Sequence, residues 1–296
     1  LLIKMQKLSP FEVSEICDEL GEPYPKSIEQ VHGGDIHSAW KIEFTDKKFF
    51  LKRNNRNKNF LEFEKYCLQN LRKHSNHENL IIPEVIAFKN FKNVEILLME
   101  WIDMQNFDQK NLGKGLGEMH LNSTESNPKF FGYPIEGFIG LTEQKKGWEN
   151  NWIDCFLNLR IIPQLSILKS NFLDNETIEK VKEKIRSELI NHKPINTLIH
   201  GDLWSGNSGI DKNGRGVIFD PASWWADNEV DIAMTKLFGG FEKEFYDEYH
   251  KIFPIKKGFE NRIIIYNFYH ILNHANMFGG SYFNQAKGYI KSILKM

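Results

Sequence analysis

Cysteine, net charge and long apolar runs are all scarce in this 296-residue chain. Its three cysteines, Cys17, Cys67 and Cys155, are isolated and odd in number, each inside an apolar-periodic stretch. They match neither a metal-ligand spacing nor a disulfide framework and read as buried free thiols of a reducing cytosol. A formal charge of −1 provides no field for nucleic acid or an anionic membrane, although "KRNNRNK" could form a local phosphate-facing patch. No apolar run approaches ~20 residues, which excludes a transmembrane helix. No signal-peptide core opens the chain, which starts on Leu1 rather than methionine, as a trimmed chain does. Repeats and low-complexity tracts are absent as well. The expectation is a cytoplasmic monomer without nucleic-acid or membrane partners.

What is present is enough apolar material for a real interior: 41% hydrophobic and 13% aromatic residues. "LSPFEVSEICDEL" predicts an amphipathic helix capped by Ser9, with Pro10 in its first turn and Gly21 as its stop. Residues 27–54 predict three short strands with turns at Gly33-Gly34 and Asp46-Lys47, followed by a helix through Phe60, Phe63, Cys67, Leu68 and Leu71. "IIPEVIAFKNFKNVEILLMEWID" predicts two more strands around a "KNFKN" tip. Beyond residue 105 the pattern turns helical, apart from strand signals at "TLIH" and "GVIFD" around a "DKNGRG" turn. A helix from "NETIEKVKEKIRSELINHK" is expected to open at Asn175. The fold class expected is α+β, with a small β-rich lobe at 1–102 joined by a short hinge to a larger, mainly helical lobe at 103–296.

One set of residues stands in the order that phosphoryl transfer requires. That reaction needs a cation on nucleotide phosphates, a carboxylate near the acceptor hydroxyl, and oxygen ligands for Mg²⁺. Lys52 ends the strand "FFLKRN", and Glu64 on the next helix could pair with it, with Glu62 as the neighbouring alternative. Asp202 follows the strand "TLIH" in "HGDLWSGN", Asn207 comes five residues on, and Asp220 ends the strand "GVIFD". A lone strand-end Asp is usually a turn residue or helix cap, but five such parts in one order make that reading improbable.

"HGDLWSGN", with "FDPASWWADNEVDIAMTKLFGGF", resembles the fructosamine kinase (ketosamine kinase) family of the protein-kinase-like, aminoglycoside-phosphotransferase-like superfamily. "GGDIHSAWKIE", "GFIGLTEQKKGWENNWIDCFLNLRIIPQL" and "YNFYHILNHANMFGGSY" extend the resemblance over roughly residues 9 to 290. "HGD" alone is shared by many small-molecule kinases; the tryptophan-bearing loop with "GWENNW" and "LNHANMFGG" is far more specific. Small departures are Phe138 for a tyrosine, Glu143 for a proline, and the pair Trp224-Trp225 where other aromatics are usual.

The resemblance implies a two-lobed protein-kinase-like fold and an ATP- and Mg²⁺-dependent kinase acting on the sugar 3-hydroxyl of a fructosamine or ribulosamine. The acceptor is either a small-molecule ketosamine or a glycated protein lysine, and the outcome is deglycation. It implies Asp202 as catalytic base, Asn207 and Asp220 as Mg²⁺ ligands, Lys52 on the α/β-phosphates, and Glu64 positioning Lys52. Gly33, Gly34 and Ser38 would cover the phosphates, while Met99, Glu100, Trp101 and Ile102 would form the adenine-facing hinge. Asp220 precedes Pro221-Ala222 rather than Phe-Gly, so the switch of regulated protein kinases is missing.

On the acceptor side, Trp204 stands where protein kinases often carry a lysine, and its indole suits a sugar or amine adduct. Trp148 and Trp225 are further wall candidates, as are Trp152 and Trp224, for which core packing is an equal reading. Asp227, Glu229 or Asp231 could attract the amine, with loop bracing the expected role for Asp231. His120 reads as a satisfied core histidine, and His270 with His274 as packing or as support for the Asp202 loop. The alternatives are a kinase of another amino alcohol or an aminoglycoside, and a non-catalytic pseudokinase, which the presence of Lys52, Asp202, Asn207 and Asp220 disfavours.

Overall fold

The structure, a computed structural model, describes residues 7–31, 37–105, 108–168 and 173–296. It divides into two compact units: residues 1–69 with 83–103, and residues 70–82 with 104–296.

The first unit is built on a five-stranded antiparallel sheet of Ser27–Val31, Ser38–Glu43, Lys48–Asn54, Val94–Glu100 and Val85–Phe91, in that spatial order. Alternation sends Trp40, Ile42, Phe49, Leu51, Ile96 and Leu98 into one apolar cluster that also takes Ile16 from the helix Pro10–Leu20. That helix starts as its sequence dictates. Ser9 and Glu12 exchange a reciprocal capping box, and Gly21 ends the helix at φ 63°. Asn93, at φ 70°, turns the hairpin between the last two strands. Gly33 and Gly34 lie outside the described residues.

The second unit is helical around several short strands. Strands Asn196–Ile199, Trp224–Asp227, Phe131–Tyr133 and Gly147–Glu149 form one four-stranded sheet. Ser208–Asp211 and Gly216–Ile218 form the centre of a second sheet, flanked by Met104–Gln105 and Leu80–Ile81. Strands of three or four residues are too short to show a period, so the region at 131–149 reads as helical context in the sequence but folds as strands. The buried helix Phe259–Phe278 packs against Glu229–Leu237, Asn175–Leu189 and Ser281–Lys295. The helix expected to open at Asn175 is capped one residue earlier, by Asp174, which accepts from Thr177 N–H. Among the described residues no helix is long and apolar enough to cross a membrane.

Candidate active site

In the first unit, Lys52 is 6% and Glu64 7% exposed, and Lys52 Nζ lies 2.7 Å from Glu64 Oε1. Glu62, the alternative partner, is on the exposed side of the helix Phe60–His74. Glu95, which sequence reasoning passed over, sets the start of that helix. It accepts from Leu61 N–H at 3.1 Å, Glu62 N–H at 3.2 Å and Asn54 Nδ2 at 2.7 Å. Two orphan N–H groups of the first helical turn and the Asn54 amide meet one buried carboxylate there, tying the Glu64-bearing helix to the sheet. The available signal was a charged residue near the start of the strand "VEILLME", ahead of its apolar run Ile96 to Met99.

Ser38 opens its strand opposite Arg53. At the other end of the sheet, Met99 is buried, while Glu100, Trp101 and Ile102 are half-buried. Glu100 and Glu84 exchange hydrogen bonds: Glu100 N–H donates to Glu84 O at 3.0 Å, and Glu84 N–H to Glu100 Oε1 at 3.0 Å. Trp101 donates its indole N–H to Asp103 Oδ1 at 2.7 Å, with the Lys41 ammonium 5.5 Å above its ring.

In the second unit the segment 200–207 is held from below by one carboxylate. Asp231, fully buried, accepts from His200 N–H at 2.7 Å and Gly201 N–H at 2.8 Å, and its Oδ2 lies 3.2 Å from His120 Nε2. Burial alone would raise the Asp231 carboxyl, but these bonds and the nearby imidazoles hold it below its usual range. His120 is completed by the Tyr249 hydroxyl at 2.9 Å. Gly201 turns at φ 84°, and a Cβ there would sit 2.1 Å from the Ala222 carbonyl oxygen, so only glycine fits.

His200 joins the two acid-bearing edges. Its Nε2 is 2.9 Å from the Phe219 carbonyl, and its Nδ1 takes the Asp202 N–H at 3.3 Å. A carbonyl only accepts, so the ring carries its proton on Nε2. Burial pushes its pKa down, which keeps it neutral. Nothing in the spacing of "HGD" shows this brace; it exists only once Phe219 folds across from it.

Asn207 Nδ2 donates to the Asp202 carbonyl at 2.9 Å and to its Oδ2 at 3.3 Å. Phe219 N–H donates to the Asn207 carbonyl at 3.1 Å, which carries the next residue, Asp220, to the same edge. Asp220 adopts φ 57°, an uncommon left-handed conformation for a side-chain-bearing residue. With Nδ2 committed to Asp202, Asn207 Oδ1 and the Asp220 carboxylate are hard oxygen donors of the kind Mg²⁺ takes. Burial, then the charges of Asp220 and Asp231, raise the Asp202 carboxyl to about 7 against the hydrogen bond from Asn207.

Trp204 is 36% exposed. Its indole lies on Gly206, where a Cβ would stand 2.3 Å from the ring, and Phe238 meets it edge-on at 6.2 Å. Gly240 approaches Ser205 so closely that a Cβ would sit 2.6 Å from the serine Cβ. The loop "LWSGN" and the segment "FGG" are therefore packed on each other. His274 continues the aromatic contact, 5.0 Å from Phe238, and donates through Nδ1 to the His270 carbonyl at 2.8 Å.

The other acceptor-side expectations fare unevenly. Asp227 is 1% exposed, with Oδ2 at 2.6 Å from both His192 Nε2 and the Tyr266 hydroxyl, and Oδ1 accepting from Glu229 N–H at 3.2 Å. A carboxylate so enclosed offers no face to an amine; this corrects the acceptor role expected for it. Glu229 is likewise buried, in a two-point pair with Arg262 at 2.5 and 2.9 Å. His192, Asp227 and Glu229 converge, but Tyr266 and Arg262 already occupy their oxygens.

Trp148 and Trp225 are both cross-strand partners of Gly132 and so share one sheet face. Trp148 is exposed, and Trp225 packs edge-on to His74 at 6.3 Å. Trp224 points to the opposite face, stacks on Trp152 at 5.5 Å, and lies against Gly201. The Asp202 loop is thus backed by Trp224, and Trp225 is turned away from Trp224.

A β-rich unit with a buried Lys–Glu pair, and a helical unit presenting Asp202, Asn207 and Asp220 on one edge, define a phosphotransferase with the kinase-like fold. The chain belongs to the fructosamine kinase family, whose profile matches residues 12–296. It is 37% identical over 273 residues to a probable ketoamine kinase of Vibrio vulnificus, covering 90% of this chain and 93% of the relative. A solved fructosamine-3-kinase candidate of Haemophilus somnus superposes with a TM-score of 0.84 at 25% identity, over 95% of this chain and 96% of the other. The aminoglycoside phosphotransferase APH(4)-Ia shares the fold at a TM-score of 0.62 and 14% identity, over 96% and 98% of the two chains.

Proposed function

We propose that the protein is an ATP- and Mg²⁺-dependent ketosamine 3-kinase. The observation that carries the reading is the exposed indole of Trp204, packed against Gly206 and two residues after Asp202, where a cation would suit a different acceptor. An aromatic face beside a raised carboxyl suits a sugar–amine adduct. When bound, MgATP supplies the phosphoryl group and neutralises its charge. Asp202 accepts the proton of the 3-hydroxyl at Oδ1, and Asn207 holds Asp202 by its bond to Oδ2. Asn207 Oδ1 and the Asp220 carboxylate would hold the metal. Lys52, paired with Glu64, would contact the nucleotide phosphates, which Ser38 would help to cover, and the segment Met99 to Ile102 would face the adenine.

The product carries phosphate at C3 beside the C2 carbonyl, where it is a leaving group. Loss of a C1 proton gives the enol, which expels inorganic phosphate from C3 and leaves an imine at C1; hydrolysis of that imine releases the amine and a 3-deoxydicarbonyl sugar, which amounts to deglycation. The acceptor amine is that of a free ketosamine or of a glycated protein lysine.

Incubation with ATP and, in turn, fructosyl-lysine, ribulosyl-lysine, choline and kanamycin tests the reading, with phosphorus NMR of the product. A 3-phosphate from either ketosamine is expected. Turnover of choline or kanamycin alone overturns the proposal and selects the second reading, an amino-alcohol or aminoglycoside kinase. The run of rings Trp204, Phe238 and His274 favours that reading, because such surfaces also hold alkylammonium groups.

A further inference from the structure

His120 falls on the buried side of the helix Lys110–Ser123 and is sealed off completely, at 0% exposed. An imidazole that accepts at one nitrogen donates at the other, and in such a place the neighbours decide which is which. The rings of Tyr249 and Phe253 stand edge-on to it at 5.8 and 6.3 Å. Its polar contacts are Asp231 Oδ2, 3.2 Å from Nε2, and the Tyr249 hydroxyl, 2.9 Å from Nδ1.

The direction of both bonds follows from a residue further back. Asn228 Nδ2 donates to the Tyr249 oxygen at 2.8 Å, so the tyrosine directs its own proton at His120 Nδ1. Burial holds the Tyr249 phenol well above its usual pKa, and the proton stays on that oxygen. With Nδ1 accepting, the imidazole proton stands on Nε2 and points at Asp231. Three donors then meet the Asp231 carboxylate: this N–H and those of His200 and Gly201. The reversed tautomer would set a lone pair against Oδ2, the same oxygen that accepts from His200 N–H. The backbone of His120 is tied to that region too. Ser123 Oγ donates to the His120 carbonyl at 2.7 Å and accepts from Leu198 N–H at 2.9 Å, in the strand that runs into His200.

We propose that Tyr249 is a positioning residue for phosphoryl transfer: with Asn228 behind it, it fixes the His120 tautomer, and through Asp231 the placement of Asp202. Asn228, Tyr249, His120 and Asp231 are at most 4% exposed, so the set acts on the Asp202 loop from inside the protein and touches neither nucleotide nor acceptor. The inference rests on Asp202 as the base and not on the identity of the acceptor.

Tyr249→Phe keeps the ring packing and removes the hydroxyl. His120→Gln puts an amide N–H near the place of Nε2–H and has no tautomer to fix. Turnover with MgATP is measured for both variants, for the double variant and for Asp202→Asn, on fructosyl-lysine or the acceptor that the panel above selects. The kcat of Tyr249→Phe should fall about tenfold with the KM for ATP unchanged, and adding Tyr249→Phe to His120→Gln should cost nothing more. Heteronuclear NMR of histidine-labelled protein, with His120 assigned by its loss in His120→Gln, should show a proton on Nε2 alone in the native protein and a share on Nδ1 in Tyr249→Phe. An unchanged kcat in Tyr249→Phe, whatever its Tm, reduces the residue to packing and overturns the proposal. So do losses that multiply in the double variant, or a native His120 with a proton on Nδ1. Turnover that persists in Asp202→Asn refutes the base and the inference with it; an inactive Asp202→Asn beside a fully active Tyr249→Phe refutes the positioning role alone.

Discussion

Asp202→Asn is expected to remove activity and add stability at once. Burial, with Asp220 and Asp231 nearby, raises the Asp202 carboxyl from 3.8 to about 7. Between those limits the native protein holds a proton that the unfolded chain has released. The group's contribution to stability is therefore fully present below pH ~4 and is lost as pH rises through ~7. A shift of about three units corresponds to roughly 4 kcal/mol as an upper bound, and partial solvent access to Asp202 reduces it to the order of 2 kcal/mol. An asparagine keeps the shape without the charge, so the variant escapes this loss. Its melting temperature should exceed the native one by about 5 °C at pH 8 and converge with it near pH 4.5. The assay is thermal unfolding across that pH range with chelator and no nucleotide, paired with turnover in MgATP. A pH-independent difference, or a variant less stable at pH 8, would refute the electrostatic argument. Persisting phosphoryl transfer would refute the role of Asp202 as base.

Glu64→Ala leaves the Lys52 ammonium without its carboxylate in a buried setting, and should cost about 3 kcal/mol in chemical denaturation and raise the KM for ATP. Gly201→Ala must displace the Ala222 carbonyl, 2.1 Å from the new Cβ, and adopt a left-handed φ; calorimetry should show a loss of at least about 2 kcal/mol, with activity falling in parallel. Asp231→Asn exchanges a charged acceptor of two backbone N–H groups for a neutral one, so kcat should fall more than the KM for ATP rises. Trp204→Ala should raise the acceptor KM about tenfold in the same kinetics and leave ATP affinity unchanged.

Local elements were readable where a local rule governs them. Ser9, Pro10, Glu12 and Gly21 carry their own start and stop signals, and the helix runs between them. The alternation of Lys48–Asn54 puts Lys52 on the face opposite Phe49 and Leu51, and the helix period offers Glu64 rather than Glu62 on the inward side. The order of Lys52, Asp202, Asn207 and Asp220 was likewise legible, because phosphoryl transfer demands those functional groups whatever the fold. Asp227 misled, since an acidic residue near aromatic ones looks like an amine site until Tyr266 and His192 arrive from segments distant in sequence. The pair Trp224-Trp225 could not be resolved in sequence for a similar reason. Adjacent strand residues face opposite ways, and only the pairing with Leu198 and Gly132 decides which of them backs the loop.

The sequence by itself determined the chemistry at hand: an acid, an amide, a second acid and a paired lysine, with a tryptophan where a cation would have served another acceptor. Tertiary structure decided how those groups behave. Asp231 grips the His200 and Gly201 amides from a helix thirty residues on, and His200 bridges to Phe219 across a hairpin. The same folding buries the Asp202 carboxyl and sets Asp220 and Asp231 near it, which together lift it to about 7. Hydrogen bonds, desolvation and Coulomb forces act over a few ångströms, and residues far apart in the chain come within that range only on folding.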